Sequence, residues 1–279
     1  MTEENYVLKF LTKDEIDKYF DRNAYLVVEY LLKKVLFSQP ELLPGEKPAN
    51  IQMTKEFLEG WISQAFTFEK VGAGSYPIDV YDKENRCGID IKCISAKVDL
   101  NGKFTSEQSN ETSLGQNFKK EGLHLDELFK DKKYAEILSL WKGLLTNKVS
   151  KAVNDFELEK ILYFIFIRGG NSMNLAVAEL NPENIEKLTV GSVTKKSVFV
   201  NNYMDPNYGN ARIYKSKKRM ELRTCAKRLY EDGMLLEWNF NEAYSQKNMF
   251  LRDKVQNEKE FREYVKKEFE DLFFNGKMP

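Results

Sequence analysis

The sequence contains little of two side chains that carry much enzyme chemistry, because it has one histidine and three cysteines. The single histidine, His124, excludes mechanisms that need two or three imidazoles, such as those of multi-histidine zinc hydrolases. Cys87, Cys93 and Cys225 cannot all pair, and none has the close CxxC spacing of a zinc or thioredoxin-like site. We therefore expect reduced thiols, and we assign His124 no catalytic role.

Net charge and long apolar runs are also absent. Lys and Arg together number 43, as do Asp and Glu, so the whole chain has no long-range attraction for nucleic acid or for an anionic membrane. No apolar run approaches the roughly 20 residues that cross a bilayer, and the first residues lack the order of a signal peptide. These features predict a cytoplasmic protein with no membrane partner.

Helical periodicity is present in the first third of the chain. Residues 12–37 predict one helix that starts with a capping box of Thr12 and Glu15. A segment with three prolines, residues 38–53, then predicts a loop. A second helix is expected after Thr54, in the sequence KEFLEGWISQAF.

Strand patterns follow these helices. The runs YPIDVYD and CGIDIKCIS meet across the turn KENR, which predicts an antiparallel hairpin. The apolar run ILYFIFIR is typical of a strand at the centre of a sheet, and NLAVAEL is expected to pair with it. After residue 181 we expect a short helix near Glu183, the strands KSVFVNN and MLLEWNF, and a final helix over residues 257–274. The order indicates a mixed α/β (α+β) fold.

The predicted hairpin carries charges where a buried strand is usually apolar. Residues two apart in a strand share a face, so Asp90 and Lys92 are expected to point to one side, and the hairpin can bring Asp79 near Asp90. Two neighbouring carboxylates repel each other unless a cation lies between them. Mg²⁺ prefers oxygen ligands and usually takes one or two carboxylates. The pattern therefore favours metal-assisted phosphodiester hydrolysis.

These residues resemble the PD-(D/E)xK nuclease superfamily, and most closely its type II restriction endonucleases. The match consists of Asp79 and, eleven residues later, the triplet from Asp90 to Lys92. A helix with a glutamate, Glu56 or Glu59, and the approach VGAGSYPID precede it, although the proline stands two residues before Asp79. The resemblance covers about residues 54–180. A second acid-x-lysine triplet begins at Asp131, in a helical and solvated stretch.

The resemblance implies a restriction-endonuclease-like core, with a central mixed β-sheet flanked by helices plus extra helical and mixed elements. It implies that Mg²⁺ is bound by Asp79, Asp90 and the Ile91 carbonyl, that Lys92 acts on the water or the transition state, and that Glu59 or Glu56 is an auxiliary ligand. The implied activity is site-specific cleavage of double-stranded DNA by a homodimer. Gln108 and Gln116 are further possible partners of this site.

A basic segment in a neutral protein, residues 211–228, predicts DNA contact. It holds eight Lys and Arg residues against one acid, Glu221, and clustered positive charge is typical of phosphate binding. A solvated helix face is the alternative. The domain prediction is an N-terminal helical region (1–53), the catalytic core (54–180) and a DNA-recognition region (181–279). The predicted DNA-binding residues are Arg212, Tyr214, Lys215, Lys217, Lys218, Arg219 and Arg223.

Three alternative functions stay open at this point. The first is another nuclease of the same superfamily, in repair, recombination or the cleavage of modified DNA. The second is a non-catalytic nucleic-acid-binding protein in which the hairpin acids form only a half-exposed cross-strand salt bridge. The third is a structural interaction protein, whose basic segment would contribute nothing to DNA affinity.

Overall fold

The computed structural model describes residues 5–41, 46, 51–72, 76–114, 125–170, 172–240 and 257–274. In this part of the chain, a mixed central sheet is flanked by helices, and a second, antiparallel sheet packs beside it. The helices are α1 (Lys13–Ile16), α2 (Arg22–Phe37), α3 (Lys55–Phe66), α4 (Leu125–Lys130), α5 (Tyr134–Phe156), α6 (Ala226–Glu231) and α7 (Glu258–Phe274), with a 3₁₀ helix at Pro182–Lys187.

The central sheet contains seven strands within the described residues, in the order β1-β7-β6-β4-β3-β2, with β12 also paired to β7. Strands β4 and β6 are parallel, and the other neighbours are antiparallel. The apolar run ILYFIFIR lies in β6, at the centre, as predicted. The strands are β1 (Leu8–Phe10), β2 (Glu69–Lys70), β3 (Val80–Asp82), β4 (Cys87–Ser95), β6 (Lys160–Gly169), β7 (Ser172–Leu180) and β12 (Leu236–Asn239).

The second sheet has five described strands in the order β5-β11-β10-β9-β8, all antiparallel. The basic segment forms two strands and the turn between them, followed by α6, so the helix-face alternative is wrong for most of it. Its apolar residues alternate with period two and bury one face of each strand, and Glu221 is also buried on the other face of β11. The strands are β5 (Thr112–Ser113), β8 (Thr189–Val193), β9 (Ser197–Asn201), β10 (Gly209–Tyr214) and β11 (Arg219–Thr224).

Both faces of β4 are covered. Ile89 and Ile91 belong to an apolar cluster with residues of α2 and α3. Ile94, on the opposite face, belongs to a cluster with Trp141 of α5 and with residues of the second sheet. The charged side chains of β4 therefore lie between two packed layers and not on an open surface.

The predicted single helix over residues 12–37 is wrong in one respect, because the structure divides it into α1 and α2. The capping box of Thr12 and Glu15 is present at the start of α1. The Asp21 carboxylate accepts a hydrogen bond from the Ala24 amide at 2.7 Å and caps α2. This cap begins a new helix where the periodicity alone predicted continuity.

Two of the three described strands that pair with β7 come from outside residues 54–180. Leu8–Phe10 pairs with one part of β7, and Leu236–Asn239 pairs with another. The final helix, Glu258–Phe274, and the hairpin of β6 and β7 are confirmed. All three cysteines are free. None of the described helices is long and apolar enough to cross a membrane.

Candidate active site

The hairpin of β3 and β4 brings Asp79 to the middle of β4. The strands pair with Val80 opposite Ile89, and the Asp79 amide donates to the Ile89 carbonyl at 2.8 Å. The Asp79 Oδ2 atom accepts a hydrogen bond from the Ile91 amide at 2.7 Å. The Asp79 carboxylate therefore lies against the backbone of the residue between Asp90 and Lys92, and the predicted hairpin is confirmed.

Asp90 and Lys92 form an ion pair within β4, through Asp90 Oδ1 and Lys92 Nζ. Asp90 is 4% exposed and Lys92 is 7% exposed. The alternative of a half-exposed cross-strand pair is therefore wrong on both counts, since the pair is buried and lies within one strand. Tyr163, the neighbour of Asp90 on β6, has its ring 5.9 Å from Lys92 Nζ.

Burial changes the acidity of these groups. Burial raises the pKa of the Asp90 carboxyl from 3.8 to about 6; the charge of Asp79 also raises it, and Lys92 opposes the change. Burial also raises the pKa of Tyr163 and of Tyr203, and the negative charge of Asp90 contributes to both shifts. Asp90 thus carries its charge in surroundings that disfavour it.

The pKa of Asp79 is shifted in the opposite direction, downward, and Lys55 of α3 is one cause. Lys55 Nζ lies 2.9 Å from Asp79 Oδ1 and 3.1 Å from Glu59 Oε1. Burial by itself would raise the pKa of Asp79, but the Lys55 hydrogen bond and the charge of Lys92 hold it below 3.8. Burial would lower the pKa of Lys55, yet its hydrogen bond to Asp79 leaves it raised.

The two glutamates of α3 differ in their distance from the acidic cluster, which consists of Asp79 and Asp90 with their partners Lys55 and Lys92. Glu59 is joined to Asp79 through Lys55, one helical turn away. Glu56 is exposed at the start of the helix, where hydrogen bonds with its own backbone and with Thr54 lower its pKa. Glu59 is therefore the better placed of the two predicted auxiliary ligands.

Sequence reasoning missed Lys55. Its spacing of four residues from Glu59 on a predicted helix was a visible signal, because such pairs are neighbours on a helix surface. Its contact with Asp79 joins residues 24 apart in the sequence. That contact depends on how α3 packs against the hairpin, which no local pattern shows.

The donor set of this cluster suits Mg²⁺ in type and number. Asp79 and Asp90 supply carboxylate oxygens, and one or two carboxylates are what this ion usually takes from a protein. The Ile91 amide points to Asp79, and its carbonyl is the additional oxygen that the resemblance implies. In the described part of the chain, no group of three or more His, Cys, Asp or Glu residues could hold a metal ion.

Most cations of the basic segment form ion pairs, either with Glu221 inside the segment or with acids elsewhere in the chain. Lys217 contacts Glu111 and Glu221, the latter at 3.1 Å. Arg219 also pairs with Glu221, at 2.9 Å, and Arg223 pairs with Glu111. Beyond these, Lys218 pairs with Asp126 at 2.7 Å. Much of the local excess of positive charge is therefore neutralised within the fold.

Arg212, Tyr214 and Lys215 differ from those residues. The Arg212 guanidinium lies 4.5 Å from the centre of the Phe199 ring and 5.5 Å from that of Tyr214. Arg212 also donates to Gln108 Oε1 at 3.4 Å, so Gln108 contacts the second sheet. Within the described residues Lys215 makes no ion pair. Gln116 and His124 lie outside the described residues.

The second sheet is attached to the end of β4 by one asparagine. The Asn110 amide donates to the Ser95 carbonyl at 2.9 Å, and the Ser95 amide donates to Asn110 Oδ1 at 2.7 Å. Ser95 is three residues beyond Lys92, and Asn110 adjoins Glu111, the partner of Lys217 and Arg223. Ser95, Asn110 and Glu111 thus connect the strand of Asp90 and Lys92 with the cations Lys217 and Arg223 of the second sheet.

A cavity of about 830 Å³ lies on the other face of the central sheet. Its lining includes Cys87, Ile89, Leu162 and Phe164, which belong to the apolar cluster opposite Asp90 and Lys92. This cavity is not part of the acidic cluster.

Comparison of the chain with protein-family models, curated protein sequences and solved structures gave no match.

Proposed function

We propose that this protein is a Mg²⁺-dependent nuclease that hydrolyses phosphodiester bonds of double-stranded DNA, with Asp79, Asp90 and Lys92 at its reaction centre. The observation that supports the proposal is the burial of Asp90 and Lys92 beside Asp79, in the strand pattern of the PD-(D/E)xK superfamily. A restriction-endonuclease-like core, built on the central sheet, is part of this proposal.

The energetic cost of the cluster favours a functional origin. Moving charged groups out of water costs several kcal/mol for each ion, and apolar residues of similar size often stabilise a core as well or better. Strongly shifted pKa values with specific charged neighbours are concentrated at functional sites. Asp90 meets both conditions, since it is buried and its pKa is raised to about 6.

Each residue has a defined role in the proposed reaction. Asp79, Asp90 and the Ile91 carbonyl would hold Mg²⁺, which when bound supplies charge stabilisation and a more acidic water molecule. Lys92 is placed to orient the attacking water or to neutralise charge on the phosphate oxygens of the transition state. Lys55 holds Asp79 in position, and Glu59 in turn pairs with Lys55.

The proposal extends to a site-specific enzyme of restriction type that acts as a homodimer. Cutting both strands of a symmetric site requires two active sites related by a two-fold axis. Arg212 and Tyr214, on the outer face of the second sheet, are candidates for base contact, because arginine reads base edges in the major groove.

One observation favours a second candidate function. Lys55 and Lys92 already neutralise the acidic cluster, so the ion pairs could serve only to hold the hairpin in a nucleic-acid-binding protein without catalysis. In that case substitution of Asp90 would alter stability and leave DNA intact in every condition.

Incubation of the purified protein with unmethylated phage DNA, with Mg²⁺ or with a chelator, tests the proposal. Asp90→Ala and Lys92→Ala are compared with Asp131→Ala, which removes the exposed acid of the second acid-x-lysine triplet. We expect discrete Mg²⁺-dependent fragments from the wild type and Asp131→Ala, and none from the other two variants.

The other outcomes separate the alternatives. Smeared products that still require Asp90 would favour a nuclease of repair or recombination over a site-specific one. Intact DNA with every variant, on unmethylated and methylated substrates, would contradict the nuclease proposal and favour the non-catalytic candidate.

A further inference from the structure

Two turns of the second sheet lie side by side at one end of it. The turn between β8 and β9 carries Lys195 and Lys196, and the turn between β10 and β11 begins with Lys215. The Lys215 amide donates to the Lys196 carbonyl at 2.9 Å, which joins the two turns. A cleft of about 440 Å³ lies between them, lined by Asp126, Lys195, Lys196, Lys215 and Ser216, and is called here the hairpin-tip cleft.

The lysines of the hairpin-tip cleft differ from Lys217 and Lys218, which lie in the same turn as Lys215. Lys217 and Lys218, a few residues away, have carboxylate partners within 4.0 Å. Lys195, Lys196 and Lys215 make no such pair within the described residues. The one acid of the cleft, Asp126, pairs with Lys218 at 2.7 Å, and the charge of Lys215 also acts on it, so one carboxylate faces several lysines. The cleft therefore has an excess of positive charge that the described fold does not neutralise.

An excess of this kind attracts a polyanion with regularly spaced charges. Lysine binds phosphate as a compact point charge, and each neutralised DNA phosphate releases counterions. Two turns that stand side by side can contact successive phosphates of one backbone, and the Ser216 hydroxyl adds a hydrogen-bond donor.

We infer that the hairpin-tip cleft binds the phosphate backbone of duplex DNA, and that Lys195, Lys196 and Lys215 contribute more to DNA affinity than Lys217 and Arg223 do. This inference rests on the proposed function. It assigns the main phosphate contact to Lys215 and not to Lys217 or Arg223, and it adds Lys195 and Lys196, which lie outside the basic segment. Lys217 and Arg223 then serve chiefly as partners of Glu111.

Binding of a short fluorescent DNA duplex, in chelator so that no cleavage occurs, tests the inference. The variant Lys195→Gln/Lys196→Gln/Lys215→Gln is compared with Lys259→Gln/Lys266→Gln/Lys267→Gln, which removes as many exposed lysines from α7. We expect the first variant to raise Kd at least about tenfold and to reduce the slope of log K against log salt by about 2 to 3. The α7 variant should match the wild type.

A third variant, Lys217→Gln/Arg223→Gln, completes the test and leaves Arg219 to pair with Glu221. The inference predicts a smaller loss of affinity for this variant than for the hairpin-tip variant, with thermal unfolding measured for each. An equal or larger loss would overturn it, as would a hairpin-tip variant that binds like the wild type.

The cleavage assay decides the proposed function separately. If the hairpin-tip variant binds DNA normally and still produces fragments, the nuclease proposal stands and the proposed DNA binding by the cleft is wrong. If the wild type never cuts DNA but the hairpin-tip variant binds DNA more weakly than the wild type, the cleft is a DNA-binding surface and the nuclease proposal is wrong.

Discussion

The hairpin of β3 and β4 and the hairpin of β10 and β11 both contain clustered charged residues, but these residues differ in their exposure to water. In the hairpin of β3 and β4, Asp90 and Lys92 are less than a tenth exposed and are packed between two layers. In the hairpin of β10 and β11, Lys217 and Arg219 are partly exposed and share Glu221, the one member of that group that is fully buried.

The comparison teaches that the number of charges in a segment is a poor guide to their effect. The longer basic segment is largely neutralised by Glu111, Glu221 and Asp126. The shorter acidic hairpin contains one carboxyl whose pKa is strongly raised, because water is excluded there. The two regions differ because both members of the Asp90–Lys92 pair are buried, whereas the cations that pair with buried Glu221 are partly exposed.

Removal of one partner of the buried pair should give the largest effect on stability. Lys92→Met leaves Asp90 buried without its ion-pair partner, and we expect the free energy of unfolding near neutral pH to fall by about 3 to 5 kcal/mol. Urea unfolding measures the change. Lys97→Met is the matched control, because its partner Glu107 is 58% exposed, and it should cost less than about 1 kcal/mol.

The double variant Asp90→Asn/Lys92→Met sharpens this test. Replacement of both charges removes the desolvation cost together with the attraction, so we expect most of the lost stability to return. A single Lys92→Met variant within about 1 kcal/mol of the wild type would show that the pair is solvated and that the comparison of the two hairpins is wrong.

The pH dependence of stability should show the raised pKa of Asp90. The folded state binds this proton more tightly than the unfolded state, so stability is lost as pH rises from 3.8 to about 6. The lowered pKa of Asp79 acts with the opposite sign, because its contribution is lost as pH falls through the folded pKa. Asp90→Asn removes only the first effect.

Urea unfolding of the wild type and Asp90→Asn across this pH window measures that difference. The free energy of unfolding of the wild type should fall relative to the variant by up to about 3 kcal/mol as pH rises through the window. Parallel curves for the two proteins would mean that Asp90 titrates normally in the fold.

In the hairpin of β10 and β11, removal of one cation that pairs with Glu221 should lower the free energy of unfolding less than removal of both. Lys217→Met leaves Arg219 to pair with Glu221, and we expect it to cost about 1 kcal/mol or less. Lys217→Met/Arg219→Met leaves a buried carboxylate without an ion-pair partner in this group, and we expect about 2 kcal/mol. Additive small losses in urea unfolding would show that Glu221 is not held by these two cations.

The smallest effect is expected from a pair that lies at the surface. Arg86 and Glu159 are 2.7 Å apart and are 49% and 64% exposed. Glu159→Gln should change the free energy of unfolding by less than about 0.5 kcal/mol, because water screens such a pair. A loss of more than about 1 kcal/mol would mean that surface pairs contribute more to this fold than the comparison allows.

Much of the local structure could be predicted from the sequence. The alternation of Ile and charged residues placed Asp90 and Lys92 on one face of a strand, and the turn before Cys87 placed Asp79 beside them. The apolar runs of β6 and β7 predicted a central pair of strands. These predictions succeeded because strand alternation and turn formation depend on neighbours in the chain.

Other features could not be predicted in this way. Lys55 reaches Asp79 across 24 residues, and Lys217 reaches Glu111 across 106. The charge of the basic segment was therefore overestimated when its own residues alone were counted. The division of residues 12–37 into two helices was a different error, since the capping residue Asp21 was visible in the sequence but its signal competed with a continuous apolar period.

The sequence by itself determined the hairpin of β3 and β4, the hairpin of β6 and β7, the final helix, and which charged residues share a face of β4. These properties depend on spacings of two to four residues. The tertiary structure decided that both faces of β4 are covered, that Lys55 joins the acidic cluster, and that the hairpin-tip cleft retains unpaired lysines within the described residues. Packing brings together groups that are distant in the chain, and the exclusion of water between them sets the strength of their charges.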